Sequence, residues 1–233
     1  MEMCLLKDFE KYLKNETNSS VMALANLCSK YDFNSNSIKN KLKNLDDSFI
    51  FNEINSKQDN SSKIINDYFS KFNVKNKNVL RFILHEVIDN MYDHSKFKNA
   101  YSLAKNNGGF VDFCLIDDGI SIYKSFENNK IDFMDDCTSI LMAINGKSTK
   151  QINGYVSRGY GLNNIVSLIN DSNGSILIVS GCGLIYINNN NVFKKSIRNK
   201  CIEGTLIAFR LDLTYDFENF YDIIDGHQNF KED

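Results

Sequence analysis

Hydrophobic residues recur at two spacings along this chain, and these spacings predict its helices and strands. Apolar positions repeat every three to four residues in segments that we predict to be helices, namely 61–72, 77–95, 133–144 and 160–169. Short apolar runs typical of strands occupy 49–54, 100–104, 110–116, 175–180, 184–187 and 205–213. The last of these strands follow one another without an intervening helix. We therefore expect an α+β fold, a two-layer sandwich with a mixed, mostly antiparallel sheet and helices on one face.

The ends of the chain differ from this central region. Residues 1–47 carry apolar residues at helical spacing on both sides of the polar run NETNSS, so we predict a small N-terminal helical segment. Residues 48–214 form the predicted main domain, and residues 215–233 form a short helix with a polar tail. Residues 20–45 have the outline of a helix-turn-helix, but helical hairpins are more often packing units. Nucleic-acid binding through this part of the chain is therefore kept as a weaker alternative.

Composition and charge narrow the class of protein. The chain has 233 residues, 42% of them hydrophobic and 24% charged, and its net charge of -2 gives no general attraction to nucleic acid. No apolar run approaches the roughly 18 residues of a membrane span, and the N-terminus lacks the basic region of a signal peptide. We therefore expect a cytoplasmic protein with no membrane partner. The six cysteines lie far apart without a CxxC pair, which favours thiols over a disulfide or zinc framework.

A polar stripe runs along the second predicted helix of the main domain. Its members lie within about 100° around the helix axis, opposite the apolar side, and they are Glu86, Asp89, Asn90 and Asp93. Such a stripe is commonly a solvated face, but here short carboxylate and amide side chains interrupt an otherwise apolar stretch. These oxygens, stacked one turn apart, suit Mg²⁺ and a carboxylate that accepts a proton from water. His94, near the end of the same helix, is expected to be a helix-end residue only.

An apolar strand-like run ends at Asp117, which is followed by Asp118 and Gly119. A carboxylate followed by a glycine is common in the turn that ends a strand, where it has only a structural role. The alternative is a buried Asp117 that accepts a hydrogen bond from the exocyclic amine of a purine, with Gly119 letting the base approach the backbone.

Two glycine-containing segments suit a phosphate group. Gly159 and Gly161 lie at the start of the last predicted helix, where backbone N–H groups and the helix dipole attract anions. Upstream, the run 146–150 (GKSTK) offers two cations and two hydroxyls. Neither segment completes a Rossmann motif or a Walker A loop, so each alone is a weak sign of a phosphate site.

The order and spacing of these elements resemble the ATP-binding domain of the GHKL superfamily. This is the Bergerat fold shared by DNA gyrase, heat-shock-ninety chaperones, histidine kinases and mismatch-repair ATPases. Residues 86–93 resemble the N box, 116–119 the G1 box, 158–162 the G2 box and 204–205 the final glycine box. In the G1 box, Ser121 stands where the family usually has glycine.

The resemblance implies a role for each matched residue. Glu86 would be the general base, Asn90 would be the ligand of Mg²⁺, and Asp117 would recognise adenine. The other residues expected at the nucleotide are Asp93, Gly119, Ser148, Thr149, Lys150, Arg158, Gly159, Tyr160, Gly161, Leu162 and Thr205. ATP and Mg²⁺ are thus the expected cofactors.

The likeness covers residues 48–213 and is greatest to small stand-alone microbial ATPases akin to anti-sigma-factor kinases. It implies a Mg-ATP-binding regulatory protein that hydrolyses ATP slowly or transfers the γ-phosphoryl group to a Ser or His of a partner protein. Residues 121–158 would form a lid whose ordering reports the nucleotide state to that partner. A homodimer is also compatible with the resemblance. The alternative is a non-catalytic interaction module switched by ATP.

Overall fold

The computed structural model describes residues 49–55, 61–71, 76–107, 109–149, 151–152, 155–156, 161–197, 201–218 and 220–226. The predicted N-terminal helical segment, which includes the part considered for DNA binding, lies outside these ranges. The described part of the chain is an α+β protein, as expected. None of the helices in it is long and apolar enough to cross a membrane.

The helices of the described ranges are α1 (Ser61–Lys71), α2 (Lys77–His94), α3 (Ile122–Asn128), α4 (Asp136–Ile144), α5 (Gly161–Asp171) and α6 (Phe220–Gly226). The strands are β1 (Phe49–Asn55), β2 (Asn99–Asn107), β3 (Phe110–Asp117), β4 (Gln151–Ile152), β5 (Tyr155–Val156), β6 (Ser175–Ser180), β7 (Gly183–Asn188), β8 (Asn191–Ser196) and β9 (Thr205–Asp212). Every helix and strand predicted after residue 48 is present. The helix α3, the strand β8 and the short β4–β5 hairpin were not predicted.

The seven longer strands form one sheet in the order β1-β2-β3-β9-β6-β7-β8. Every pairing in this sheet is antiparallel, so the mixed sheet that we predicted is wrong in this detail for the described residues. The reason is that β9 inserts between β3 and β6, two strands that run in the same direction and would otherwise form a parallel pair. Because Ile116 of β3 lies opposite Leu206 of β9, the end of β3 adjoins the start of β9. This register brings Asp117 next to Thr205.

The strand β8 was missed because its sequence signal lies in the turn before it. Asn189 and Asn190 have positive φ angles of 47° and 62°. Two such residues are typical of a type I′ hairpin turn, in which asparagine is favoured. The turn pairs β7 with β8, so that Asn188 lies opposite Asn191. An Asn-Asn pair after an apolar run is therefore the feature that predicts this hairpin.

Helices cover one face of the sheet, as predicted. Side chains alternate between the two faces of a strand, and on β3 the residues Val111, Phe113 and Leu115 point towards the helices. They belong to the same buried cluster as Ile83 and Val87 of α2. We call this side of the sheet the helix face.

The segment expected to form a lid, residues 121–158, contains two helices that are anchored in the core. The side chains of Ser121 and Asp135 cap α3 and α4 by accepting hydrogen bonds from backbone N–H groups. Phe126 of α3 and Ile140 of α4 are buried. The helices α3 and α4 therefore belong to the folded helical layer, and a lid whose ordering reports the nucleotide state stays a prediction.

We expected every cysteine to be a thiol, and this expectation is wrong for two of them. A disulfide joins Cys182 to Cys201, because the β7–β8 hairpin returns the chain to the turn between β6 and β7. Neither the long sequence separation nor the lack of a CxxC pair indicated this contact. Cys114 and Cys137 form no disulfide and are buried, as expected. The other two cysteines lie outside the described residues.

Candidate functional site

Asp117, the last residue of β3, is on the helix face of the sheet and is only 3% exposed. Its Oδ1 accepts a hydrogen bond from Gly119 N at 2.8 Å. A Cβ atom at position 119 would lie 2.8 Å from this oxygen, and one at position 204 would lie 2.6 Å from it. Both separations are too short for real atoms. Only glycine therefore fits at Gly119 and Gly204, and the two glycines enclose the carboxyl group.

The surroundings of Asp117 oppose its ionisation. Burial raises the pKa of this carboxyl from an ordinary 3.8 to about 7, and Asp118 adds to the rise. The Gly119 N–H, the Ser95 hydroxyl and the Thr205 backbone act in the opposite direction. Ser95 Oγ is itself buried and completes no hydrogen bond of normal geometry within the described residues. A buried carboxyl with a strongly shifted pKa, beside such a hydroxyl, is typical of a binding site.

Asp118 has a local structural role, although it adjoins Asp117. Its Oδ1 accepts hydrogen bonds from Lys98 N at 2.8 Å and from Asn99 N at 2.9 Å. Its Oδ2 accepts a third from Asn99 Nδ2 at 2.8 Å. Asp118 thus fixes the start of β2 against the end of β3. The loop interpretation of this motif is correct for Asp118, whereas Asp117 faces the interior.

The polar stripe of α2 divides into a half-buried pair and an exposed pair. Glu86 and Asn90 are half-buried, whereas Asp89 and Asp93 are exposed. Gly161, the first residue of α5, lies against the half-buried pair. A Cβ atom at position 161 would overlap the Glu86 carboxylate and would lie 3.8 Å from Asn90 Nδ2. The glycine predicted at a helix start therefore faces the two residues expected to act with it.

A pocket opens between α2, the end of β3 and the start of β9. Its volume is about 110 Å³, several times the roughly 10–15 Å³ that one water molecule needs, so it is large enough for a ligand group. Six predicted site residues line it: Asn90, Asp117, Ser148, Thr149, Leu162 and Thr205. The apolar part of the lining consists of Val87, Met91, Leu115, Ile120, Ile122, Phe126, Ala143 and Ile207. An apolar pocket with a few polar groups suits a flat ring that has a polar edge.

The remaining predicted residues have three different placements. Glu86, Gly119 and Gly161 do not line the pocket, but they adjoin residues that do. Asp93 is exposed and is not part of the lining, so the structure does not bring it to the pocket. The last four predicted site residues lie outside the described residues, and they are Lys150, Arg158, Gly159 and Tyr160.

Our sequence analysis missed the part of the pocket around His94. This residue ends α2, as expected, but it also lines the pocket, and its Nδ1 lies 3.0 Å from Thr149 Oγ1. Thr149 Oγ1 in turn lies 3.1 Å from Ser125 Oγ of α3. A signal was available, because His94 follows Asn90 by one helical turn and so continues the polar stripe. Other lining residues that were not predicted include Ser95, Ser121 and Phe126.

Hydroxyl groups connect the start of β9 to α3. Ser180 Oγ lies 2.8 Å from Thr205 Oγ1 and accepts a hydrogen bond from Ile122 N at 2.8 Å. Ser180 is fully buried at the end of β6. Because Thr205 and Ile122 both line the pocket, this network fixes the position of one part of the lining relative to the other.

No known family profile matches this chain, and no curated protein sequence is significantly similar to it. Across the residues that the structure describes, no group of three or more His, Cys, Asp or Glu side chains is placed to hold a metal ion. The description of the site therefore rests on its own geometry. It consists of a buried carboxyl in an apolar pocket, beside a helix whose half-buried Glu86 and Asn90 meet the start of α5.

Proposed function

We propose that this protein is a Mg-ATP-binding regulatory protein of the GHKL type, whose α+β architecture is the Bergerat fold. The observation that carries the proposal is the buried carboxyl of Asp117 in the lining of an apolar pocket, together with Asn90 in the same lining. Thr205 is a third member of that lining, and Gly161 lies against Glu86. Residues from each of the matched sequence boxes thus support one nucleotide site.

The chemistry of the pocket suits adenine. An ionised Asp117 accepts a hydrogen bond from the exocyclic amine, and the apolar lining packs against the ring. The buried Ser95 hydroxyl offers a further polar group to the ligand, because the described residues do not complete its hydrogen bonding. Guanine has a carbonyl oxygen where adenine has the amine, so two acceptors would face each other at Asp117.

Asn90 is the residue that fits a ligand of Mg²⁺. Its side-chain oxygen is of the type that this ion accepts, and Mg²⁺ commonly takes its other ligands from phosphates and water. When bound, the ion would neutralise charge on the phosphates. The start of α5, at Gly161 and Leu162, and the pocket residues Lys147 and Ser148 would hold the phosphate groups.

Glu86 fits the role of a general base. It lies one helical turn from Asn90, about 6 Å along the helix axis, and its carboxylate meets the first residue of α5. There it would orient water or a partner's side chain and accept the proton that the nucleophile loses. The outcome is slow ATP hydrolysis or phosphorylation of a Ser or His on a regulatory target protein. We place this activity in the cytoplasm, with a homodimer as one form of the protein.

Calorimetric titration tests the nucleotide site. Mg-ATP and Mg-ADP should bind, whereas Mg-GTP should not. Asp117→Asn should weaken ATP binding by about 10- to 150-fold, which corresponds to roughly 1.5–3 kcal/mol for a buried charge-assisted hydrogen bond. Asp89→Asn is the matched control, because it makes the same chemical change at an exposed residue of α2. Equal affinities of the wild type for ATP and GTP would refute the role of Asp117.

Two substitutions on α2 separate binding from chemistry. Asn90→Ala should weaken Mg-ATP binding, whereas Glu86→Ala should leave binding nearly intact and slow phosphate release by roughly 100- to 10,000-fold. ATP labelled at the γ-phosphate, incubated with the protein and a cell extract, shows whether the label becomes free phosphate or joins another chain. If the wild type binds ATP but neither releases phosphate nor labels a protein, the catalytic role is refuted. The non-catalytic, ATP-switched module then replaces it.

A further inference from the structure

The sheet has a second apolar face, opposite the helix face. Alternate strand residues point to it, among them Tyr101, Leu103, Cys114, Leu177, Tyr186 and Ala208. We call this side the second face. Its hydrophobic cluster consists of strand residues and two residues of the β8–β9 connection, and it includes no residue of a described helix.

The second face is shielded from solvent. Leu103, Cys114, Leu177 and Ala208 all have an exposure of 0%. Neighbouring strands cover only the flanks of such side chains, so a sheet face without another layer remains in contact with water. Because none of the described helices contributes to this cluster, another part of the molecule must form that layer.

A buried ion pair on the second face supports the same conclusion. Arg210 Nε donates to Asp112 Oδ1 at 2.7 Å, and Arg210 Nη2 donates to Asp112 Oδ2 at 2.9 Å. The two side chains are only 8% and 1% exposed. Asp112 alternates with Val111 and Phe113 along β3 and therefore shares the second face with Cys114. The Phe110 ring, whose centroid lies 5.4 Å from the Arg210 guanidinium carbon, covers part of this pair. An ion pair on an otherwise uncovered sheet would still be hydrated, so we infer that the covering layer extends to this end of β3.

We propose that residues 1–48 of the same chain cover the second face. The second face is buried within one chain, so its burial requires neither a second copy nor another protein. Each other range outside the described residues has seven residues or fewer. A face of seven strands is roughly 30 Å wide at about 4.8 Å per strand, which is too wide for such short segments to cover.

The position and composition of residues 1–48 fit this role. They lead directly into β1, an edge strand whose Phe49 and Phe51 pack against the cluster of the second face. Apolar residues such as Leu24 and Leu27 recur in them at helical spacing, which is typical of a helix that buries one side. This inference is independent of ATP binding, because the pocket lies on the opposite side of the sheet.

Thiol labelling of the full-length protein tests the proposal. Iodoacetamide is added to the native protein, and mass spectrometry of peptides follows Cys114 on the second face and Cys137 on the helix face. In the wild type both should react slowly. The double substitution Leu24→Glu with Leu27→Glu should speed the labelling of Cys114 by at least about tenfold and leave Cys137 unchanged, because only the second face is uncovered. The matched control, Asn26→Glu with Ser29→Glu, adds the same charge at polar positions and should change neither rate.

Three results of this labelling would overturn the proposal. Rapid labelling of Cys114 in the wild type would mean that the second face is open. Slow labelling that becomes rapid when the wild type is diluted from a dimer to a monomer would mean that a second copy covers it. If the double variant leaves Cys114 protected, residues 1–48 are not the cover.

The double variant could unfold, and both of its cysteines would then become reactive. In that case, cross-linking of the wild type tests the proposal. An amine-reactive reagent is added to a mixture of ¹⁴N and ¹⁵N chains, so that links within one chain are distinguished from links between chains. Lysines of residues 1–48 should link within one chain to Lys105 or Lys195, which lie on strands of the second face. Links only to Lys63 and Lys147, outside the second face, or only between chains, would refute the assignment.

Discussion

The backbone of Gly161 lies directly against the carboxylate of Glu86. A Cβ atom on Gly161 would overlap Glu86 Oε2 and would lie 3.1 Å from Glu86 Cδ. The contact joins the middle of α2 to the first residue of α5. The residue at position 161 therefore determines where the Glu86 carboxylate can lie.

Gly161→Ala should displace that carboxylate without unfolding the protein. The added methyl group meets the end of a flexible side chain, so we expect a loss of about 1–3 kcal/mol in the free energy of unfolding, the usual cost of overpacking. The rate of ATP hydrolysis should fall as well, because a general base acts only from the correct position. Urea unfolding and phosphate release under saturating ATP measure the two effects.

A double-mutant cycle provides the control for this contact. Glu86→Ala removes the atoms that the new methyl group would meet, so Gly161→Ala should cost less stability in that background. The difference should be about 0.5–3 kcal/mol, the range found for residues in contact. Additive effects would show that Gly161 and Glu86 are not neighbours in solution.

The disulfide between Cys182 and Cys201 should contribute measurably to stability. It closes a loop across a sequence separation of 19 residues, which contains the β7–β8 hairpin. Cys201 is exposed, so serine fits there without a packing defect. Cys201→Ser should lower the free energy of unfolding by about 2–4 kcal/mol, chiefly by freeing the unfolded chain.

Chemical reduction gives the control for the disulfide. Dithiothreitol should destabilise the wild type by a similar amount and should have no effect on Cys201→Ser. If the wild type unfolds at the same urea concentration with and without reductant, the disulfide makes no contribution.

Most of the helices and strands could be predicted from the sequence, because the hydrophobic pattern of each one lies within a single segment of the chain. The apolar period of α2 and the apolar run of β3 identified both elements, and the end of that run identified Asp117. The short helix α3 was missed because a few apolar residues among polar ones are a weak signal, although Phe126 in this helix is buried.

Relationships between segments were harder to predict because they depend on strand order. The insertion of β9 between β3 and β6 made the sheet antiparallel and placed Thr205 beside Asp117. The pairing of Cys182 with Cys201 follows from the β7–β8 hairpin, which itself was missed. The contact of His94 with Thr149 depends on the path of the chain after α4. No periodicity within one segment carries such information.

The affinity for nucleotide should depend on pH through Asp117. In the free protein the pKa of this carboxyl is raised to about 7, chiefly by burial. The ionised form accepts the hydrogen bond from adenine, so affinity should be full near pH 8 and should fall by up to about tenfold per unit below pH 7. Calorimetry with Mg-ADP measures this, and Asp117→Asn is the reference for titration of the phosphates. Affinity that increases as the pH falls would mean that the neutral acid binds the base.

The same carboxyl should make the free protein less stable as the pH rises. Between its ordinary pKa of 3.8 and its folded value of about 7, the folded state binds one more proton than the unfolded state at this group. Stability therefore falls as the pH rises through that window, and the cost of burying the charge is complete above pH 7. A shift of about three units corresponds to roughly 4 kcal/mol.

Asp117→Asn removes this titration. Between pH 4 and pH 8, the free energy of unfolding of the variant should therefore rise by about that amount relative to the wild type. Urea unfolding without nucleotide at several pH values measures the two curves, and the titrating groups that do not interact with Asp117 cancel in the difference. Parallel curves would show that Asp117 ionises freely in the folded protein, as an exposed carboxyl does.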